Sequence, residues 1–369
     1  MSENKIFVSI ASYRDTLCHD TLVHLYKMAK HPHRVFVGLC QQNNTAADKD
    51  CVEGFSDPVL RKNIRVLRLN YKEARGPTYA RFLCAQLYDG EDFFLQIDSH
   101  CLFVRDWDEK AISMVHLVES QTTSKKVVLS HYPAEYKDYK EEPSKDESVT
   151  HITQCFFNDD GLVSFKGAQF KKPGPLPRRN AFIAAGFIFA RGALLKEVPF
   201  DPHLPFLFTG EELLLSTRFF THGWDVYTPN TNITYHAYTR KGEPKFWDDH
   251  RLDTAEVNLK VKILTGLAEE KDKEPANIKN KNIRESIPLY GQGTERTLDQ
   301  FYELVGIDRK TKTVSKPSIE FYCACSEMQQ ENMLLSIVWF LVVVFAILVS
   351  VVVLRLGSVN KKKIMDGYK

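Results

Sequence analysis

The sequence predicts an α/β domain with a mostly parallel sheet flanked by helices, and a single membrane-spanning helix at the carboxyl end. Three observations lead there. Short runs rich in β-branched and aromatic residues alternate with stretches whose apolar residues recur three and four apart. The composition, 43% hydrophobic and 26% charged over 369 residues, is that of a globular chain able to build a sizeable core. Finally, Met333 to Leu354, MLLSIVWFLVVVFAILVSVVVL, runs for about 22 residues without a charge, close to the roughly 20 that cross a bilayer.

Taken in order, the strands begin with IFVSI (6–10), followed by a helical pattern at Leu17, Leu22, Leu25 and Met28. RVFVGL (34–39), NIRVLRL (63–69), DFFLQI (92–97) and KVVLSH (126–131) continue the series, with Ala80, Leu83, Cys84 and Leu87 marking a helix ahead of the fourth strand. Strand and helix in alternation imply parallel pairing, and ligands of such sheets sit beyond the carboxyl ends of the strands. Three segments fall there: ASYRD after the first strand, EARGPTYARF after the third and DSH after the fourth. The charged stretch 137–150 reads as an exposed loop and KKPGPLPRR (171–179) as a turn region. A buried strand AFIAAGFIFA (181–190), a helix from Glu211 to His222 and the strands WDVYTP and NITYHAY follow. The pattern then weakens, giving a core over 1–240, an appended mixed and helical region over 241–332 that completes it, the membrane helix over 333–354 and a short basic tail over 355–369.

Charge and cysteine content bound the partners. With 49 basic against 47 acidic residues the formal net charge is +2, which gives no electrostatic case for nucleic acid, so any anionic ligand must be held locally. The eight cysteines show neither CxxC pairs nor the density of a secreted scaffold and read as mostly reduced thiols; Cys323 and Cys325, just ahead of the anchor, are free or lipidated. The amino terminus has no basic region leading into an apolar stretch, so the expectation is a carboxyl-terminal anchor with the globular part on the cytosolic side. Arg355, Lys361, Lys362 and Lys363 count the other way under the positive-inside rule; exporting the whole globular part without a leader is the harder demand. Asn43-Asn44-Thr45 and Asn232-Ile233-Thr234 fit the glycosylation pattern, too short to settle the side.

The chemistry starts with LQIDSHC (95–101). An aspartate and a histidine two apart on a strand point to one face, so Asp98 and His100 can share one ion at the rim of the sheet. Oxygen and imidazole together suit a borderline divalent cation such as manganese, with positions left for a diphosphate. The ordinary alternative is an acid capping the next turn beside a surface histidine.

The wider pattern decides between them. LQIDSHCLFVRDWDEKAI resembles the DSHCE-type segment of the polypeptide N-acetylgalactosaminyltransferases, and is more similar still to that of the cytosolic and Golgi polypeptide α-N-acetylglucosaminyltransferases. IFVSIASYRD, EARGPTYAR, FTGEELLLSTRFFTHGWDVYTP and YGQGTERTLDQFYELVGI are similar to that family's segments too, in order and spacing across residues 5–307. The resemblance implies a GT-A fold, a UDP-sugar donor, manganese, retention of anomeric configuration, and a polypeptide serine, threonine or hydroxyproline as acceptor. It implies a third metal ligand from a late strand, here His236 in NITYHAYTR, completing a set of Asp98, His100 and His236. It makes Glu211 the counterpart of a glutamate near the sugar and acceptor, with Glu212 a weaker second candidate. Arg81 and Arg240 are candidates to neutralise the diphosphate. Ser12, Tyr13 and Arg14 are candidates for the uridine pocket, where Tyr13 can stack on the base. Gly186 is expected where the backbone comes close to the acceptor channel. No carboxyl-terminal anchor belongs to the family pattern. Rival readings keep the fold and change the sugar, to N-acetylgalactosamine, galactose or glucose, or make the chain a non-catalytic membrane-anchored scaffold. A metal-dependent phosphohydrolase would want more carboxylates around two ions.

Overall fold

Strand β1 (Ile6–Tyr13) runs through the middle of the molecule, and its first five residues are buried because helices cover both faces of the sheet around it. The structure, a computed structural model, describes residues 4–170 and 173–315, which lie in one compact unit. After β1 come α1 (Cys18–Met28), β2 (Val35–Asn43), α2 (Pro58–Lys62), β3 (Ile64–Asn70), α3 (Pro77–Ala85) and β4 (Phe93–Asp98). Helix starts follow capping rules: the Asp57 carboxylate accepts the N–H groups of Val59 and Leu60, and Pro58 and Pro77 occupy first turns, where a missing N–H costs nothing. Gly76 ahead of α3 is left-handed, with φ 87°, and a Cβ there would sit 2.8 Å from the Phe206 Cα.

The chain continues through β5 (Cys101–Phe103), α4 (Trp107–Gln121), β6 (Val127–Ser130), β7 (Ala134–Glu135), β8 (Val149–Phe157), β9 (Val163–Phe170), β10 (Arg178–Asn180) and β11 (Phe187–Arg191). Then come α5 (Leu194–Glu197), α6 (Glu211–Thr221), β12 (Asp225–Thr228), β13 (Thr234–His236), α7 (Phe246–Asp249), α8 (Ala255–Thr265), α9 (Lys281–Glu285) and α10 (Leu298–Val305). The main sheet has eight strands in the order β10-β12-β6-β11-β4-β1-β2-β3. On one face Val8, Ile10, Val37 and Leu95 pack against Leu22 and Leu25 of α1 and Trp107 of α4; on the other Phe7, Phe94 and Ile188 meet Leu215 and Phe219 of α6. Residues 241–315 share a core with the preceding part, since Val257, Val261, Phe301 and Val305 cluster with Phe182, Leu213 and Phe220.

Expectation and structure differ in three places. The sheet is mixed rather than mostly parallel: β3, β2, β1 and β4 run parallel, as do β6 and β12, but β11 is antiparallel to β4 and β6, and β10 to β12. The run AFIAAGFIFA is a strand only from Phe187 onward. Ahead of it, side chains take the backbone donors that a ladder would use: Asn180 Oδ1 accepts from Ala181 and Phe182, Ser216 Oγ from Ile183, Ser130 Oγ from Ala184, and Glu212 Oε1 from Ala185. The reading of the cysteines as reduced is corrected at one pair, because Cys18 and Cys51 form a disulfide with Cα atoms 5.4 Å apart, inside the bridging range. They are 33 residues apart in sequence, and the parallel pairing of β1 with β2 brings them together. Cys40, Cys84 and Cys101 are free and buried.

Among the described residues no helix is long and apolar enough to cross a membrane. The expected anchor 333–354, the tail 355–369 and Cys323 and Cys325 lie outside the described residues. Asn43 and Asn232 are 4% and 1% exposed, their side-chain amides bonded to the Lys49 and Ser148 carbonyls, so neither pattern is open to glycosylation in the folded unit.

Candidate active site

Three elements meet at the carboxyl end of β4. Asp98 closes that strand, Ser99 and His100 make the turn, and β5 leaves it; β13 pairs with β5 so that His236 lies opposite Cys101. A ligand 136 positions later is thereby delivered beside the turn (236 − 100). One donor atom from each of Asp98, His100 and His236 lies within 4.8 Å of the others, and the two imidazole centroids are 4.6 Å apart. Nε2 of His236 is 3.0 Å from Asp98 Oδ2, while its Nδ1 is buried with no hydrogen-bond partner. His100 Nδ1 lies 2.7 Å from Asp15 Oδ2; a carboxylate only accepts, so that nitrogen is the donor and Nε2 is the ring atom left to face an ion. Burial pushes the Asp98 carboxyl up, but the bond from His236 and the charges of Arg81 and both histidines hold it well below the usual range. One anionic oxygen donor, two imidazoles and an orphaned ring nitrogen fit a borderline divalent cation.

Arg81, projecting from α3, ties this cluster to α6. Its Nη1 donates to both oxygens of Glu211, at 2.6 and 2.5 Å, and its Nη2 to Asp98 Oδ1 at 3.0 Å. The Arg81–Glu211 pair is buried, with 6% of each side chain exposed, while Asp98 is partly open to the cleft. Burial pushes the Glu211 carboxyl up and Arg81 offsets part of that. Both Glu211 oxygens are engaged by a cation, so Glu211 is not a free base in this arrangement.

The cluster opens into a cleft of about 550 Å³, a size suited to a nucleotide-sized ligand. Tyr13, Arg81, Asp98, His100, Glu211, Glu212, His236 and Arg240 line it, as does Gly186, where a Cβ would lie 3.1 Å from Asp98 Oδ2. Ser12 and Arg14 are not on its wall. Ser12 is fully buried in β1, and Arg14, left-handed with φ 46°, pairs with Asp48 at 2.9 Å and Asp249 at 3.0 Å. Tyr13 is edge-on to His250, and its hydroxyl donates to Asp249. Glu212 faces neutral donors: Tyr132 Oη donates to Oε2 at 2.7 Å and the Ala185 N–H to Oε1 at 2.9 Å. Burial raises its pKa to about 7.

Sequence reasoning missed several of these groups. Asp15 stands out in the sequence only as the last residue of ASYRD, and of the segment 240–249 only Arg240 does; Tyr132 and residues 241–249 carry no pattern that marks them. A signal for the first was present, since Asp15 and His100 each follow a strand whose carboxyl end was expected at the same rim of a parallel sheet. Lys245, Phe246 and Trp247 also line the cleft, and Phe208 and Trp247 stand edge to face at its edge with ring centroids 5.7 Å apart.

Comparison with known proteins places this geometry. A family model described as Glycosyltransferase (GlcNAc) matches residues 5–57 and 54–311. The crystal structure of GalNAc-T7 with UDP, GalNAc and Mn2+ superposes with TM-score 0.54 at 14% identity, over 82% of this chain and 57% of that one. That likeness shows the fold, the GT-A arrangement with a mixed central sheet, and this chain spans a little over half the length of that neighbour. S. aureus TarS 1-349 in complex with UDP-GlcNAc, with TM-score 0.43 at 16% identity over 74% of this chain and 70% of that one, is too distant to add to the argument. The same holds for mannosyltransferase PcManGT from Pyrobaculum calidifontis in complex with GDP-Man and Mn2+, with TM-score 0.45 at 13% identity over 77% and 69% of the two chains. No curated protein sequence matches.

Proposed function

From the premise that this chain belongs to the glycosyltransferase (GlcNAc) family, we propose that it moves N-acetylglucosamine from UDP to a serine, threonine or hydroxyproline hydroxyl of a polypeptide, with manganese and with retention of configuration. The observation that carries this reading is the convergence of Asp98, His100 and His236 at the wall of a cleft that also holds Arg81. A divalent cation bound there would neutralise charge developing on the diphosphate as the anomeric C–O bond breaks. Arg240, on the same wall, adds a second positive group for the phosphates. Arg81 orients Asp98 and holds both oxygens of Glu211 in place, so Glu211 acts on the sugar or acceptor as a hydrogen-bond acceptor rather than as a base. The acceptor oxygen then bonds to the anomeric carbon from the face the leaving group vacates, and its proton passes to the departing phosphate oxygen. The segment 333–354 would anchor the enzyme to a membrane with this unit on the cytosolic side.

The test is turnover of a panel of UDP-sugars by the full chain, with and without Mn2+, beside His100→Ala and His236→Ala. The expected result is metal-dependent UDP release from UDP-GlcNAc that falls at least 100-fold in each variant, the loss of one ligand of three. Release from another UDP-sugar alone would reassign the donor. Absence of UDP binding to the wild-type chain would overturn the site and leave the scaffold.

A further inference from the structure

The turn after β1 is laced to the segment 240–249 by four consecutive residues. Tyr13 Oη donates to Asp249 Oδ2 at 2.7 Å, and Arg14 Nη1 donates to the same oxygen at 3.0 Å. Asp15 Oδ2 is 3.0 Å from Arg240 Nη1, and Thr16 Oγ1 donates to Glu243 Oε1 at 2.9 Å. Between those anchor points Lys245, Phe246 and Trp247 form part of the cleft wall. Asp15 stands apart from its neighbours in reaching the opposite way as well. Its side chain is 1% exposed, and besides the ion pair with Arg240 it accepts hydrogen bonds from His100 Nδ1 at 2.7 Å, Ser99 Oγ at 2.6 Å and the Leu17 N–H at 3.0 Å. A carboxylate so deeply buried is tolerable only when neutralised on every side, which fixes whatever it touches.

We propose that Asp15 is a positioning residue that aims the imidazole of His100 at the ion and ties that ligand, through Arg240, to the 240–249 wall of the cleft, so that ion binding and anchoring of the wall are coupled. The inference rests on Asp98, His100 and His236 being a metal site, and adds to it a partner outside the ligand set. Carboxylates that hold a ligating imidazole by its other nitrogen fix its tautomer and direction. Coupling between ion and wall is reciprocal, so each must respond to the loss of the other.

Two readouts on the full chain in detergent test it: Mn2+ affinity from the free-ion electron paramagnetic resonance signal, and amide hydrogen exchange over 240–250. Asp15→Asn is expected to weaken Mn2+ binding by tenfold or more and to speed exchange in that segment. Asp108→Asn is the control, since Asp108 is 3% exposed and holds only the Lys30 and His31 N–H groups, away from the cleft; it should leave both readouts at the wild-type value. Arg240→Gln carries the test if Asp15→Asn does not fold. Removing a positive charge near a cation should by itself strengthen Mn2+ binding, so a fall of threefold or more in this variant is the signature of coupling. Wild-type Mn2+ affinity within twofold in Asp15→Asn, or unchanged exchange, overturns the proposal. A wild-type chain that takes up no Mn2+ overturns the metal-site reading instead.

Discussion

Glu211 and Glu212 are adjacent residues at the start of α6, and they belong to electrostatically opposite regions of one cleft. On the Glu211 side every carboxylate meets a cation or imidazole: Glu211 and Asp98 share Arg81, and Asp98 also meets His236. On the Glu212 side the donors are neutral, a tyrosine hydroxyl and a backbone N–H. The same residue type is therefore clamped by a cation in one region and is poised to change charge near pH 7 in the other. The contrast teaches that the first region is built around fixed charge, as a metal and diphosphate site requires, and that the second offers a carboxyl whose state depends on conditions.

The largest test of that contrast removes the cation that both acids of the first region share. Arg81→Met leaves the buried Glu211 and the partly exposed Asp98 without their common partner, and breaking a buried pair such as Arg81–Glu211 costs about 3–5 kcal/mol. Urea unfolding of the variant should show that loss, together with loss of Mn2+ binding as Asp98 is released. A destabilisation below about 1 kcal/mol would mean the pair is relaxed by water in solution and the first region is not preorganised.

A smaller effect is expected from Glu212→Gln, and it should be visible as a pH dependence. Below about pH 4.5 the Glu212 carboxyl is protonated in both folded and unfolded chains and contributes no difference. As pH rises the unfolded chain loses the proton first and the folded chain holds it to about 7, so folding stability falls across that window and is flat above it. The fall amounts to about 3 kcal/mol from the size of the shift. Glutamine cannot ionise, so its stability relative to wild type should rise between pH 4.5 and 7. A single amide oxygen must serve both Tyr132 and Ala185, but that cost is independent of pH and drops out of the difference. Equal pH profiles for the two proteins would show that Glu212 is charged throughout.

How much of this could be read from the chain follows the same division. The parallel half of the sheet, β1 to β4, was legible because β1, β2 and β4 are buried apolar runs, the edge strand β3 alternates apolar with polar residues, and a helix separates each strand from the next. The turn DSH and its partner His236 were legible by pattern. The other half was not: β11 is shorter than its apolar run because Asn180, Ser130, Ser216 and Glu212 claim the backbone of 181–185, and nothing local distinguishes a buried loop from a strand when its donors are satisfied from afar. The hairpin of β8 and β9, turned at Asp159-Asp160-Gly161, was passed over although its turn chemistry was present. Asp15 was readable only as the end of ASYRD, just past the first strand, and only tertiary structure shows that its carboxylate serves His100 and Arg240.

Gly186 sits on the seam between the two regions, and its substitution gives the smallest and most selective effect. The preceding N–H, that of Ala185, holds Glu212, while a Cβ on Gly186 would point at Asp98 Oδ2 from 3.1 Å. That distance is tight rather than impossible, so Asp98 must give by a few tenths of an ångström. Neither the fold nor the Glu212 bonds need change, and the stability cost should stay under about 1 kcal/mol. Misplacing a group by about 1 Å can cost 100-fold in rate, so a shift of tenths should reduce sugar transfer about fivefold. Gly186→Ala should therefore lower Mn2+-dependent turnover while leaving the pH dependence of stability as it is in the wild type. A variant that instead alters that pH dependence would mean the backbone at 185–186 moves as a unit. The two regions would then be one mechanically connected surface, and their different charge states would not make them independent.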